Sequence, residues 1–264
     1  MTISPETTTS ERRPGVVDRA TWQVARDELL VREKALTRET DAVAAVRRRL
    51  PMVEIDAQTE VVGRDGPVPF IDLFQGREEL LVYKHMFHTG RPIEQQCEGC
   101  TGLAWHVKDT APYLNARGVS LAFLSEGPWA ELAPFVEFMG YSEPWYSTAG
   151  VSEPAVGGEM GFMACFLRDG ERVFLTYETT GRGNEPFEPM FALLDLTPYG
   201  RCESWQDTPD GWPEGHDPCW YWRTDENGVP TWGTTGRPAP QWTRPGVTPV
   251  TTGGPAVKDR KSVV

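Results

Sequence analysis

The stretch from Leu80 to Cys100, LLVYKHMFHTGRPIEQQCEGC, decides the fold of this chain. Its first half begins with a short apolar run, Leu80 to Tyr83, which predicts a buried strand that Lys84 to Phe87 extend. A loop then leads to a pair of cysteines, Cys97 and Cys100, and a helical pattern begins at Thr101. This order predicts that both sulfurs lie at the N-terminus of a helix that follows a buried strand.

The segments after the cysteine pair alternate between helix and strand. Strands that are separated by helices imply a parallel pair, and a hairpin around Asp169-Gly170 adds antiparallel strands to the same sheet. The sequence therefore predicts an α/β protein with a central mixed sheet flanked by helices. The predicted elements are a helix 101–117 divided at Pro112, a strand 119–124, a helix 128–139, the hairpin strands 162–167 and 172–177, and a closing helix 187–196. Ahead of them, the alternation of residues 52–62 predicts a strand pair.

A long helical pattern precedes this core, and an irregular segment follows it. The apolar positions of residues 18–50 keep helical spacing, with Asp18 or Thr21 as the cap and Pro51 as the stop. We predict a disordered tail over 1–15, an N-terminal helix over 16–51, the main domain over 52–200, an irregular Trp-rich cover over 201–232, and a disordered tail over 233–264. The helix is expected to pack on its own domain or on a second subunit, as in a homodimer.

The overall charge and the N-terminal residues limit the partners and the compartment. The 264 residues carry a formal net charge of -12, with a pI near 4.9. An acidic surface repels phosphate backbones and anionic lipids, so neither nucleic acid nor a membrane is an expected partner. The first residues lack the apolar core of a secretory signal, which favours a cytoplasmic location. Because cysteines stay reduced there, the pair is expected to be catalytic or metal-binding rather than a structural disulfide.

The cysteine pair has a physical reason to be reactive. A helix N-terminus offers unsatisfied N–H groups and the positive end of the dipole, which stabilise a thiolate. We expect Cys97 to be the exposed nucleophile and Cys100 to resolve its mixed disulfide. Glu98 should raise the pKa of the neighbouring thiol. The positive groups expected to offset Glu98 and to stabilise the thiolate are Lys84, His88 and Arg91.

A zinc site is the alternative for the same cysteines. His85, His88, Cys97 and Cys100 are suitable ligand types for a tetrahedral ion. Residues three apart on a strand face opposite sides, however, so we do not expect the two histidines to bind the same ion. We therefore favour redox chemistry without metal or organic cofactor. Two other readings stay open: a zinc-binding or redox-sensing module without turnover, and a non-catalytic partner protein.

The sequence also resembles one bacterial family. The helix 22–51, the Asp72-Leu-Phe-x-Gly-Arg77 loop, the cysteine pair and the stretch from Gly181 to Arg201 are similar to the thioredoxin-like proteins grouped as domain of unknown function 899, which are described as predicted dithiol-disulfide oxidoreductases. The resemblance implies a thioredoxin-like fold and a candidate redox role for Cys97 and Cys100.

Two departures from related proteins narrow the expected substrate. Met163 stands where thioredoxins carry the cis-proline that shapes the slot for a partner chain, and Arg182 is a second candidate for that slot. Glu94 occupies the position of the threonine that holds peroxide in peroxiredoxins. The expected function is thus a thiol-disulfide oxidoreductase that acts on a small or specialised thiol or disulfide substrate and is recharged by a cellular thiol reductant.

Overall fold

The computed structural model describes residues 13–93, 96–201 and 206–212, apart from the side chain of Glu98. Glu94, most of the predicted cover, residues 1–12 of the predicted N-terminal tail and the whole predicted tail 233–264 lie outside these residues. The first described element is α1, Arg19–Arg47, and the side chain of Asp18 caps it by accepting a hydrogen bond from the Thr21 N–H at 2.8 Å. The predicted N-terminal helix is therefore present, and of the two candidate caps the structure uses Asp18.

The described residues form one eight-stranded sheet, in the spatial order β1-β8-β7-β4-β5-β6-β2-β3. In its middle, β4 pairs in parallel with β5 and antiparallel with β7, and β7 pairs antiparallel with β8. The strands are β1 Val53–Ile55, β2 Glu60–Gly63, β3 Gly66–Pro69, β4 Glu79–His85, β5 Val119–Ser125, β6 Trp145–Ser147, β7 Phe162–Asp169 and β8 Arg172–Thr180.

Short helices connect and cover the strands. The order strand, helix, strand, helix, hairpin, helix, with β5-β4-β7-β8 adjacent in space, is the arrangement of a thioredoxin-like core, which confirms the predicted fold class. The predicted helix over 101–117 is divided ahead of Pro112, as a proline requires. The helices are α2 Glu98–Val107, α3 Ala111–Asn115, α4 Trp129–Met139, α5 Pro154–Gly157 and α6 Pro189–Leu194, with 3₁₀ segments at Phe70–Phe74 and Gly181–Phe187.

Side chains that alternate along the strands build two separate cores. We call the side that carries Tyr83, Phe123 and both cysteines the dithiol face, and α2 and α4 cover it. We call the other side the Phe70 face, where Val82 and Phe70 lie in a second apolar cluster. Each residue of β4 therefore belongs to one face or the other, which decides what its side chain can contact.

The N-terminal strands differ from the sequence prediction. Residues 52–62 were expected to form a strand pair, but β1 pairs with β8, and β2 pairs with β3 and β6. The predicted pairing of these two strands was wrong. The turn Arg64-Asp65 joins β2 to β3, while β1 pairs with β8 at the opposite end of the sheet. Strand β6 was missed, since its three residues are too short to show a period.

Candidate functional site

The dithiol lies where the chain passes from β4 into α2. Cys97 is the N-cap residue of α2, and Cys100 lies in its first turn. The buried side chain of Gln96 holds the loop before them: its amide nitrogen donates to the carbonyls of His88 and Arg91 at 3.1 and 3.0 Å, and its oxygen accepts from the His88 N–H at 2.7 Å. Gln96 thus fixes the loop that leads to Cys97, a structural role that sequence reasoning missed.

Both sulfurs are buried. Cys97 is 0% exposed and Cys100 is 1% exposed, so the expectation that Cys97 is the exposed cysteine is wrong for this conformation. The physical reason is the cover over the N-terminus of α2, since Phe187, Leu103 and Phe87 lie in the same apolar cluster as the two cysteines. A molecule from the solvent would therefore reach Cys97 Sγ only after a local opening of these apolar residues.

A tyrosine contacts the second cysteine. The hydroxyl of Tyr83 donates a hydrogen bond to Cys100 Sγ at 3.2 Å. Tyr83 lies on β4 and is fully buried, and burial, followed by the nearby charge of Cys100, raises its pKa well above the ordinary value. Its proton therefore stays on the phenol and remains available for donation to sulfur.

The pKa of Cys100 depends on the neighbouring thiol of Cys97. Burial raises the pKa of Cys100 most, and a hydrogen bond to Cys97 and the negative charge of Cys97 raise it further. The hydrogen bonds from Tyr83 and from the Met86 backbone lower it in part. A negative charge on Cys97 thus favours the protonated form of Cys100.

The first turn of α2 is fixed by two further hydroxyls. The N–H and Oγ1 of Thr101 both donate to the Cys97 carbonyl, at 3.0 and 2.7 Å. Tyr141 Oη donates to the carbonyl of Thr101 at 3.0 Å, and all three residues are buried. These bonds hold the dithiol turn rigidly against α4 and β6.

Lys84 does not stabilise the thiolate, and this prediction needs correction. Its ammonium donates to the carbonyl of Pro154 at 3.3 Å. Because Lys84 directly follows Tyr83 on β4, its side chain lies on the Phe70 face. Burial lowers the pKa of Lys84, and the charges that raise it belong to Glu178 and Glu159 rather than to a cysteine.

The histidines and Arg91 are placed differently from one another. His85 is fully buried between aromatic rings, with centroids 5.4 Å from Phe135 and 5.1 Å from Trp145. His88 is half-buried beside it, whereas Arg91 is exposed, and its backbone carbonyl is held by Gln96. Among the described residues, no contact joins Arg91 to a cysteine sulfur.

The arrangement of these groups does not favour zinc. Within the described ranges, no three His, Cys, Asp or Glu side chains are grouped so that they could hold a metal ion. Burial, followed by the charge of His88, lowers the pKa of His85 to about 3. His85 is thus a neutral ring packed in an aromatic box, and it contributes to the core of the dithiol face.

Met163 lies on the dithiol face. It is the cross-strand partner of Tyr83, and its side chain packs against the cluster that contains both cysteines. Met163 is the second residue of β7. The Met163 N–H donates to Asn184 Oδ1 at 3.2 Å, while Asn184 Nδ2 donates to the Gly161 carbonyl at 2.8 Å. Buried Asn184 was not predicted by the sequence reading.

Arg182 was expected to line the slot for a substrate, but its side chain pairs with a neighbouring carboxylate. Its guanidinium donates to Glu185 Oε1 at 2.8 Å, and its side chain is 63% exposed. The same carboxylate accepts from Arg201, which is buried and also pairs with Asp195. The structure therefore places Arg182 in an ion-pair network that ties the segment Gly181–Phe187 to the end of the described domain.

Cys165 is the remaining cysteine within the described residues, and it is half-buried on β7. Burial raises its pKa to about 11, and the charge of Arg47 offsets this in part. Cys165 is thus a weak nucleophile at neutral pH and a suitable internal control for the dithiol. Cys202 and Cys219 lie outside the described residues.

The fold and the site together define a thioredoxin-like protein with a buried dithiol at the N-terminus of its second helix. The chain belongs to the family described as bacterial protein of unknown function, DUF899, whose model matches residues 11–227. This confirms the family that the sequence resembles. None of the curated proteins matches the chain significantly.

Several solved structures are similar to part of the chain. Peroxidoxin BcpB from Mycobacterium tuberculosis is 16% identical, with a TM-score of 0.37 over 55% of this chain and 96% of its own. Peroxiredoxin Q from Xanthomonas campestris is 12% identical, with 0.40 over 56% and 98%. A putative thiol:disulfide interchange protein DsbE from Chlorobium tepidum is 13% identical, with 0.36 over 54% and 98%. Likenesses this distant assign no activity.

One further property concerns the helices. No helix in the described part of the chain has both the length and the apolar character needed to cross a membrane.

Proposed function

We propose that this protein is a thiol-disulfide oxidoreductase in which Cys97 attacks and Cys100 resolves. The observation that carries the proposal is the hydrogen bond from Tyr83 Oη to Cys100 Sγ at 3.2 Å. A buried phenol aimed at one sulfur of a helix-capping dithiol stabilises the thiolate that forms there during resolution. An ordinary structural thiol has no need of such a donor.

The reaction follows thiol-disulfide exchange. The Cys97 thiolate attacks one sulfur of a substrate disulfide, the S–S bond breaks, and the leaving thiolate takes up a proton. Cys100 then loses its proton, attacks Cys97 Sγ and releases the second substrate thiol. Two electrons pass from the dithiol to the substrate, which is reduced to two thiols. A cellular thiol reductant supplies two electrons to reduce the Cys97–Cys100 disulfide again.

The burial of the nucleophile supports a small or specialised substrate. A sulfur that is 0% exposed admits a low-molecular-weight disulfide after a modest opening, whereas an extended protein chain needs a formed slot. The N–H of Met163 is engaged by Asn184, so this backbone group is not offered to a partner chain. The same two features argue against general reduction of protein disulfides.

The test uses single serine variants of the full chain. With a small disulfide such as oxidised glutathione, Cys100→Ser should trap one substrate thiol on Cys97, detected by intact mass. Cys97→Ser should form no adduct, and Cys165→Ser should behave as the wild type. Mild oxidation of the wild type should remove two titratable thiols per chain through a 97–100 disulfide. An adduct on Cys165 rather than Cys97, or no 97–100 disulfide, would refute the proposal.

A further inference from the structure

A cavity separate from the dithiol lies near the opposite end of α2. Its volume is about 490 Å³, and it is lined by the β2–β3 turn, by α4 and by the segment 141–146. Ser142 Oγ of that segment lies 3.2 Å from the carbonyl of Lys108, the residue that ends α2. Because α2 has ten residues, this point is about 15 Å along the helix from the dithiol. A cavity of this volume suits a small organic molecule.

One residue of the cavity wall is a carboxylate that has too few hydrogen-bond donors. Glu143 lines the cavity and is 5% exposed, and its Oε2 has no hydrogen-bond partner among the described residues. Its Oε1 lies 3.2 Å from Ser142 Oγ, but that hydroxyl has a single proton and is equally close to the Lys108 carbonyl. A buried carboxylate with so few donors is costly, so the site favours a ligand that donates hydrogen bonds.

The surroundings of Glu143 also lack a compensating positive charge. Within the part of the chain that the structure describes, Glu143 forms no ion pair with a lysine or arginine. Burial raises the pKa of Glu143, and the negative charge of Asp109 raises it further. The C-terminal end of α2 adds partial negative charge through its last carbonyl groups. Arg64 and Asp65, which are exposed at the edge of the cavity, carry opposite charges and offset each other. The cavity therefore favours a cation.

Aromatic side chains form much of the remaining wall. Tyr141 and Trp145 are buried and stack on each other with centroids 5.1 Å apart, so they form a rigid base. Trp129 of α4 and Tyr146 of β6 are half-buried and provide apolar surface beside Glu143. The cavity thus combines one anionic hydrogen-bond acceptor with an apolar wall.

We propose that this cavity binds a small organic amine as its ammonium ion. The ammonium group binds the Glu143 carboxylate, and the hydrocarbon part of the ligand packs on Trp129 and Tyr146. A primary ammonium supplies three N–H donors together with a positive charge, whereas a hydroxyl supplies one donor and no charge. Oε2 is shielded from solvent in this conformation. The last torsion of a glutamate side chain is broad and two-fold, so rotation of the carboxylate presents either oxygen to the ligand.

Three ligands with the same ring and similar length test the proposal. They are phenethylamine, which is a cation, 2-phenylethanol, which is neutral, and 3-phenylpropionate, which is an anion. Calorimetric titration of the full chain at pH 7.5 should show saturable binding of phenethylamine. The other two ligands should bind at least about tenfold more weakly, because neither forms the charged hydrogen bond. Glu143→Gln keeps the shape of the side chain and should weaken the binding of phenethylamine by about tenfold, with no effect on 2-phenylethanol.

Glu171→Gln is the matched control, because it removes the same charge from a side chain that is 84% exposed on the β7–β8 hairpin, outside the cavity. This variant should bind phenethylamine as the wild type does. Trp129→Leu tests the apolar wall and should weaken phenethylamine and 2-phenylethanol by the same factor. Urea denaturation checks that each variant is folded, and the comparison of the three ligands on the wild type needs no variant.

Four results overturn the proposal. The first is the absence of saturable binding of phenethylamine, and the second is equal affinity for phenethylamine and 2-phenylethanol. The third is a Glu143→Gln variant that binds the amine as tightly as the wild type. The fourth is equal weakening by Glu171→Gln, which would mean that the overall negative charge of the chain attracts the amine.

Discussion

On the dithiol face of the sheet a tyrosine donates a hydrogen bond to a sulfur, whereas on the Phe70 face the neighbouring residue of the same strand, Val82, packs against hydrocarbon. Both faces are equally well buried. The dithiol face, however, contains buried polar atoms of His85 and Trp145 that have no hydrogen-bond partner among the described residues. The Phe70 face thus contributes mainly stability, whereas the dithiol face gives up some stability in these polar groups.

The largest expected effect is on stability, from a change on the Phe70 face. Phe70 is fully buried and packs edge-to-face on Phe166 with centroids 5.0 Å apart. Phe70→Ala leaves a cavity and should lower the free energy of unfolding by about 3–5 kcal/mol, measured by urea denaturation. The rate at which Cys97 is alkylated under native conditions should stay within a factor of two of the wild type. A large change in that rate would mean that the two faces are not independent.

The second effect tests the aromatic box on the dithiol face. His85 has a pKa of about 3 in the folded chain against an ordinary 6.5, so the unfolded chain binds a proton first as the pH falls. Stability should therefore be full above pH 6.5 and decrease below it, by about 2 kcal/mol at pH 5 at 1.4 kcal/mol per pH unit. His85→Phe should flatten this dependence, measured by denaturation at pH 7.5 and 5.

The control for His85 is His106→Gln, because His106 is half-buried and its Nδ1 lies 2.7 Å from the Gly102 carbonyl. This variant should keep the wild-type decrease of stability between the two pH values. If His85→Phe keeps it as well, the acid sensitivity has another source, and His85 is not the neutral group that its surroundings imply.

Local signals predicted the frame of the site but not its contacts. The apolar run of β4, the cysteine spacing and the start of α2 are short-range features, so they were predicted from the sequence alone. The hydrogen bonds of Tyr83 with Cys100 and of Asn184 with Met163 depend on packing between distant segments. The spacing of apolar residues along the sequence does not reveal such packing. The position of Lys84 was different, because strand alternation next to Tyr83 already implied the opposite face.

The third effect concerns Tyr83, whose hydroxyl donates the hydrogen bond to Cys100 Sγ. Tyr83→Phe removes the hydroxyl that lies 3.2 Å from Cys100 Sγ, so less Cys100 thiolate forms and resolution should slow by about tenfold, the equivalent of 1.4 kcal/mol. Stopped-flow release of the second substrate thiol measures this step, while attack by Cys97 should change little. Tyr141→Phe is the matched control, since its buried hydroxyl bonds to the Thr101 carbonyl rather than to sulfur. Equal slowing in both variants would mean that Tyr83 only supports the packing.

The smallest effect is expected for Met163, which packs on the dithiol face. Met163→Pro deletes the N–H that donates to Asn184 Oδ1, which should cost about 1 kcal/mol of stability. The deletion also leaves Asn184 Oδ1 without this donor and so available to a partner chain, and we expect a few-fold gain in the reduction of a protein disulfide such as insulin, from a low wild-type rate.

Asn184→Ala isolates the amide, because it breaks the same bond while leaving Met163 in place. If Asn184→Ala matches Met163→Pro on insulin, the bond restricts access; if only the proline variant gains activity, the backbone shape does so. A wild type that already reduces insulin as fast as an ordinary thioredoxin would end the idea of a restricted slot, because Met163 and its engaged N–H would then present no obstacle to a protein substrate.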